Sequence, residues 1–205
     1  MTQPEMMRRK PRGPYFKTEQ KRREILDAAL EVFAVAGYRS GSLRSVAQRV
    51  GMSEAGLLHH FHNKTALLAA ALERRDDQTR KRFDFDGLRG RELVTALIEL
   101  VEYNASVPGV VELFTVLSAE ATHPEHPAHE YFRERYSNLR QTLIDTFAEL
   151  QADGELRQGV DPAAAARGVI ALMDGLQVQW LYRDDELDMA ADLRRYFDSL
   201  LNTPL

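Results

Sequence analysis

The chain has 205 residues, of which 44% are hydrophobic and 28% are charged, a balance typical of a globular protein that buries a core. It has no cysteine, which excludes disulfides, thiol catalysis and thiolate metal sites. No apolar run approaches the roughly 18 residues that a membrane span needs, and the basic start lacks the apolar stretch of a signal peptide. We therefore expect a cytoplasmic protein.

Charge is unevenly distributed along the chain, although the formal net charge is only −4. Residues 1–64 carry twelve Lys and Arg against six Asp and Glu, whereas residues 65–205 carry fifteen against twenty-five. This asymmetry indicates that the N-terminal end meets a polyanion and the remainder does not. A basic tail on an acidic domain is the alternative interpretation.

The N-terminal residues 1–17 contain three prolines and a cluster of basic side chains, which predicts a flexible basic arm. A first helix is predicted to begin near Thr18, whose side chain can cap it, and to end at Gly37. Apolar residues between these two positions recur at helical spacing.

Three shorter segments with helical periodicity follow the first helix. The second predicted helix carries Val46 and Ala47 on its apolar side and stops at Gly51. A third helix follows Ser53, and a fourth follows Asn63, whose side chain can accept hydrogen bonds from the first turn.

The segment 83–87 interrupts the helical period and marks the predicted seam between two domains. Beyond it Pro162 follows Asp161 at a favoured helix start, because the missing N–H of proline costs nothing there. No segment alternates with the two-residue period of a strand, so we predict an all-α fold of nine helices. The helices predicted after the seam span residues 91–106, 108–122, 128–153, 162–183 and 188–201.

Residues 43–61 are the most informative stretch, because two short predicted helices flank a glycine turn with the spacing of a helix-turn-helix. In that motif the first helix packs on the second, and the second projects into a DNA major groove. Leu57 and Phe61, four residues apart, are expected to hold the second helix to the core. The residues expected to face base edges are Glu54, Ala55, Gly56, Leu58 and His59.

The pattern Ala47, Gly51-Met-Ser, Leu57, His60-Phe61-His-Asn-Lys64 and Leu67-Leu68 resembles the signature of the tetracycline-repressor (TetR) family. The resemblance spans about residues 18–70. It implies a helix-turn-helix domain at 18–63, a connecting helix at 64–82 and a ligand-binding and dimerisation domain at 83–205. It also implies phosphate contacts by Ser42, His60 and Lys64, which agrees with the preference of helix N-termini for anions.

Three positions depart from the usual family pattern. Gly56 replaces a frequent Thr or Ser, Leu58 replaces a frequent Tyr, and His62 replaces a frequent Pro. Leu58 loses a polar contact but can pack on a thymine methyl group, so the operator sequence is not transferable. Glu54 either accepts from a cytosine amino group or favours the helix dipole. Arg44 is the leading candidate for a base contact. The predicted DNA-binding residues are Ser42, Arg44, Ser53, Glu54, Ala55, Gly56, Leu58, His59, His60 and Lys64.

The second domain offers a mostly apolar set of residues with a few polar tips, which suits a small-molecule pocket and an ordinary core alike. The resemblance implies an effector whose binding pivots the fourth helix of a repressor on a palindromic operator. We expect an apolar or amphipathic effector, and a cation if Glu120 or Asp174 is buried without a partner. The predicted ligand-binding residues are Tyr103, Phe114, Leu117, Glu120, Met173, Gln177 and Trp180.

A homodimer is expected from the last two helices, where Gly168 and Gly175 lie seven residues apart and permit close approach of another helix. In the family these helices form a four-helix bundle between subunits. The alternative is that the same faces close the core of one subunit.

Other functional classes find little support in the sequence. His123, His126 and His129 are a zinc candidate, but a proline-containing surface loop explains the same residues, and we expect neither metal nor cofactor. We find no nucleophile elbow, phosphate-binding loop or H-E-x-x-H motif, so an enzyme is not expected. A helical protein-binding adaptor without ligand control is the alternative function, but it leaves the basic helix-turn-helix unexplained.

Overall fold

The computed structural model describes residues 14–182 and 186–205, and these residues form nine α-helices joined by turns. No strand forms within these ranges, where an isolated antiparallel bridge joins Leu156 and Leu201. The predicted all-α fold of nine helices is confirmed. The helices are α1 (Pro14–Ser40), α2 (Leu43–Arg49), α3 (Glu54–His60), α4 (Lys64–Arg82), α5 (Gly90–Ala105), α6 (Pro108–Glu120), α7 (His129–Ala152), α8 (Pro162–Leu181) and α9 (Met189–Leu200).

Local chemistry determines where most of these helices begin. The Asn63 and Asp161 side chains accept the backbone N–H three residues on, at 2.7 and 2.8 Å, and cap α4 and α8. The cap by Asn63 and the helix start at Pro162 were predicted. Gly37 has φ of +71° and ψ of +164°, so the chain kinks at the predicted end of the first helix before helix resumes to Ser40.

The start of α1 differs from the prediction. The helix begins at Pro14, four residues before Thr18, because proline is well suited to a first helical turn. Thr18 therefore lies inside the helix instead of capping it, and the predicted arm of residues 1–17 is too long at its C-terminal end. Residues 1–13 of that arm, and the predicted end of the eighth helix at residue 183, lie outside the described residues.

Two hydrophobic cores stabilise the fold. The second core is formed by α5, α7, α8 and α9. The first core is formed by the four helices α1, α2, α3 and α4. It also includes Leu113, Leu117 and Ala121 from α6 and its C-terminal turn, and Phe132 from α7. Although the predicted seam at 83–87 is a turn, the packing does not divide at that point.

The helices α8 and α9 pack closely within one subunit, which corrects part of the dimer interpretation. A methyl group at Gly168 would lie 2.2 Å from the Tyr196 hydroxyl oxygen, so this glycine accommodates a side chain of its own subunit. Leu193 and Phe197 are likewise buried in that subunit's core. Gly175, by contrast, has no heavy atom within 4 Å of an added Cβ position, apart from its own helix backbone and chain neighbours.

Within the described ranges, no single helix combines the length and the apolar character that a membrane span requires. Helices α5 and α6 reach the length and apolar composition of a membrane span only as a pair, and this pair is bent by 107°.

Candidate DNA-binding surface and ligand cavity

The helix-turn-helix is held together by a small shared core. Val46 and Ala47 on α2 and Leu57 on α3 are fully buried in the same cluster. Between the helices Gly51 has φ of +66°, a left-handed conformation that glycine adopts without the steric cost of a Cβ. The sequence placed both the buried face and the turn correctly.

The outer surface of this motif carries most of the predicted DNA-binding residues. Ser42 and Ser53 cap α2 and α3, each accepting the N–H three residues on, at 3.0 and 3.1 Å. The Arg44 side chain is exposed and makes no hydrogen bond or ion pair to any part of the chain that the structure describes. Also exposed are Glu54, Ala55, Leu58 and His59, whereas Gly56, His60 and Lys64 are half-buried.

Two basic residues of α1 that the sequence analysis did not single out support the motif from behind. The Lys21 ammonium donates to the Val50 carbonyl at 2.7 Å, at the C-terminal end of α2. The Arg22 guanidinium donates to the His60 carbonyl at 3.3 Å and lies 4.2 Å above the ring centre of Phe61. Part of the N-terminal positive charge therefore stabilises helix ends within the domain.

His60 lies close to these cations. Burial lowers the pKa of His60 most, and His59, Arg22 and Lys21 lower it further. These influences favour the neutral ring in the free protein. A phosphate contact by this residue would then be a hydrogen bond from a neutral imidazole unless DNA raises the pKa.

Lys64 is directed toward the protein in this conformation. Its ammonium donates to the Arg39 carbonyl at 3.0 Å and lies 4.5 Å from the ring centre of Tyr38. Burial lowers the pKa of Lys64. The predicted phosphate contact thus competes with a contact to the end of α1, although an ammonium group retains two further donors.

A cavity of about 90 Å³ lies among α4, α5, α6, α7 and α8. Phe114, Met173 and Gln177, three of the predicted ligand-binding residues, line it. The Gln177 side-chain oxygen accepts from the Thr115 hydroxyl at 3.4 Å, which positions this amide on the wall. A second cavity of about 250 Å³ shares Leu100, Leu139 and Met173 with the first.

Charged residues that the sequence analysis missed also line these cavities. Arg75 and Asp76 on α4 and Arg135 on α7 border the first cavity, and Asp76 and Arg135 border both. Arg135 pairs with Asp76, which also accepts from the Tyr131 hydroxyl at 2.6 Å. Burial is the main cause of a raised pKa at Tyr131.

The remaining predicted ligand-binding residues lie elsewhere: they line neither of these two cavities, and Leu117 and Glu120 line a third one of about 320 Å³ between α1 and α6. Leu117 is buried in the first core, because its helical face points toward α1 instead of the first cavity. Glu120 faces Arg39 at 3.6 Å and His126 at 3.7 Å near the end of α6. Tyr103 packs under the Arg82 guanidinium at 4.0 Å, and Trp180 packs on the second core.

The three histidines of the 123–129 loop form contacts with the backbone. The Nδ1 atoms of His123 and His126 accept the N–H groups of Glu125 and Ala128 at 3.3 and 3.2 Å. His129 Nδ1 lies 2.7 Å from the Ala121 carbonyl oxygen. No group of three potential metal ligands converges among the residues described.

A helix-turn-helix with an exposed second helix, followed by helices that surround cavities, defines a DNA-binding regulator. Residues 25–71 match the family described as "Bacterial regulatory proteins, tetR family". Residues 89–202, more than half of the chain, match "BetI-type transcriptional repressor, C-terminal". The chain therefore belongs to the TetR family and is a DNA-binding transcriptional regulator.

Individual relatives agree with this assignment. The chain is 29% identical over 194 residues to the transcriptional regulator BetI of Burkholderia mallei, covering 89% of this chain and 94% of that protein. A TetR-family regulator from a Rhodococcus species superposes with a TM-score of 0.74 and 25% identity, over 89% of this chain and all of that chain. A transcriptional regulator from Saccharomonospora viridis, solved in complex with choline, has a TM-score of 0.73 and 24% identity, over 90% and 99% of the two chains.

Proposed function

We propose that the protein is a homodimeric repressor that binds a two-fold symmetric operator and is released by a small molecule bound in the cavities behind α4. The observation that carries the proposal is the position of α4. It begins at Lys64, directly after the helix-turn-helix, and its Arg75, Asp76 and Thr79 border the first cavity. A ligand that shifts this wall also shifts the recognition helix α3.

A second contact supports this coupling. The Arg74 guanidinium donates to both carboxylate oxygens of Asp27 at 2.6 and 2.7 Å, and the Gln78 amide donates to the same carboxylate at 3.1 Å. These bonds connect α4 to α1, which supports α2 and α3 from behind. Arg74 and Arg75 are neighbours that face the DNA-binding core and the cavity, respectively, so one helix contacts both regions.

The identity of the effector does not follow from the relatives. The choline complex belongs to a protein that is 24% identical, and a likeness at that level concerns the fold alone. The cavities support an amphipathic effector, because apolar residues such as Phe114 and Met173 line the first cavity together with polar and charged residues such as Arg75 and Gln177.

The first test is selection of bound fragments from the source genome, followed by affinity measurements at several salt concentrations. We expect a palindromic site whose half-sites lie one helical turn apart. An effector should weaken that complex about 5- to 150-fold, and DNA should weaken effector binding by the same factor. Failure to enrich any site would favour the adaptor alternative.

The homodimer is tested by Gly175→Arg, because a Cβ added there meets no atom of its own subunit within 4 Å apart from chain neighbours and the helix backbone. Sedimentation at micromolar concentration should give a dimer for the parent and a monomer for the variant, with unchanged helical content and lost operator binding. Ala119→Arg, at an exposed position on α6, is the control for the added charge. A monomeric parent contradicts the proposal.

A further inference from the structure

Arg75 is a cation inside the protein whose hydrogen-bond acceptors are uncharged. Its guanidinium donates to the Thr79 hydroxyl and, at 3.1 Å, to the Asn104 side-chain oxygen. The Tyr103 ring centre lies 5.8 Å from it. Burial is the main cause of a lowered pKa at Arg75. Because burying a charge is costly, a site for a compensating anion is expected beside this group.

The carboxylates that face the cavity are already engaged. Asp76 is paired with Arg135 and accepts from Tyr131. Asp174 on α8 accepts from the Tyr136 hydroxyl at 3.0 Å and keeps an exposed side chain, although nearby protein atoms raise its pKa through desolvation. Of the two arginines that border the first cavity, Arg75 is therefore the one without a carboxylate among its hydrogen-bond partners.

The shape of the space indicates an elongated occupant. Ligand pockets usually enclose about 300–1,000 Å³, so neither cavity of about 90 or 250 Å³ is large enough alone. Because the two cavities share Leu100, Leu139 and Met173, a molecule that begins at Arg75 and extends past Met173 would reach both. Polar and apolar side chains alternate along that path, and the apolar ones that a hydrocarbon chain would contact include Leu93, Leu97, Leu100, Phe114, Leu139 and Leu143.

We propose that the effector is an amphipathic monocarboxylate, with its carboxylate bound by Arg75 and its apolar chain extending through both cavities. This inference rests on the proposed function only for its consequence, the release of DNA. A guanidinium fork matches a carboxylate with two parallel hydrogen bonds, which a hydroxyl or an alkylammonium group does not offer. The cationic effector considered from the sequence required Glu120 or Asp174 to be buried without a partner, whereas Glu120 is paired outside this cavity and Asp174 is exposed and accepts from Tyr136.

The test is calorimetric titration of the full chain with straight-chain carboxylates from butanoate to decanoate. Alcohols and alkyltrimethylammonium ions of the same chain lengths are the matched probes. We expect the carboxylates to bind best, and Arg75→Gln to weaken their binding about ten- to a hundred-fold while alcohol binding stays unchanged. Lys81→Gln removes one exposed charge from the same helix and should leave binding unaltered.

Arg75→Lys keeps the charge but loses the two parallel donors of the guanidinium, so it should weaken carboxylate binding by a smaller factor than Arg75→Gln does. This variant provides the test if Arg75→Gln does not fold. Tighter binding of the ammonium probes, no binding by any carboxylate, or equal carboxylate affinity in all variants would overturn the inference. If carboxylates bind through Arg75 but leave operator affinity unchanged, the ligand class stands and the release function fails.

Discussion

The outer face of α3 and the cavities behind α4 place their functional side chains in opposite environments. On α3, Leu58 and His59 point into solvent and contribute little to the core, while Leu57 between α3 and α2 is fully buried. In the cavities, Asp76 and Arg135 both line the candidate site and hold two helices together. DNA specificity can therefore change without loss of stability, whereas ligand specificity and stability are linked.

The largest effect is expected from two adjacent leucines. Leu57→Ala removes a fully buried side chain and should lower the free energy of unfolding by about 2–5 kcal/mol. Leu58→Ala, at a side chain that is 38% exposed, should change it by less than about 0.5 kcal/mol while altering operator preference. Urea unfolding and competition with variant operators measure the two effects. Equal destabilisation by both changes would contradict the contrast.

The cavity side offers a similar pair of neighbours. Asp76→Ala leaves Arg135 and Tyr131 without their shared acceptor. It should lower the free energy of unfolding by about 1–3 kcal/mol, because water in the cavity only partly screens the charge left on Arg135. Asp77→Ala removes an exposed i,i+3 partner of Arg80 at 3.5 Å and should cost less than about 1 kcal/mol. Thermal unfolding of the two variants measures the difference. If both are equally stable, the Asp76 pair does not support the fold.

The smallest expected effects separate two cations of the DNA-binding surface. Arg44→Gln should leave stability unchanged and relax preference at particular base pairs, because the free side chain is exposed. Lys64→Gln should weaken all sites about equally, lower the salt slope by about one and cost about 0.5–1 kcal/mol of stability through the lost Arg39 contact. Binding isotherms at several salt concentrations measure both. An unaltered slope for Lys64→Gln assigns this lysine a structural role alone.

The sequence was sufficient for the features that depend on near neighbours in the chain. Caps such as Asn63, the glycine turn at Gly51 and the apolar period of each helix involve residues within one or two turns of each other. The buried face of the helix-turn-helix follows from the same periodicity. The nine helices and the helix-turn-helix were predictable for this reason.

The cavity was only partly predictable, because its wall depends on contacts between distant segments. Phe114, Met173 and Gln177 were found, but helical spacing alone does not distinguish a cavity wall from a core position such as Leu117. Arg135 and Asp76 are 59 residues apart, and only the packing of α7 against α4 brings them together. No local pattern in the sequence indicates this pair.

The composition of the first core has a consequence for modular folding. Leu113 and Leu117 from α6 and Phe132 from α7 complete the apolar packing around α1 and α4. A fragment ending at Arg82 would leave that packing surface open to water, so the DNA-binding segment is not a self-sufficient unit. The two halves of the protein should melt in a single cooperative transition. Exchange of the effector domain between relatives would preserve the fold only if α6 and the start of α7 retained this complementary surface.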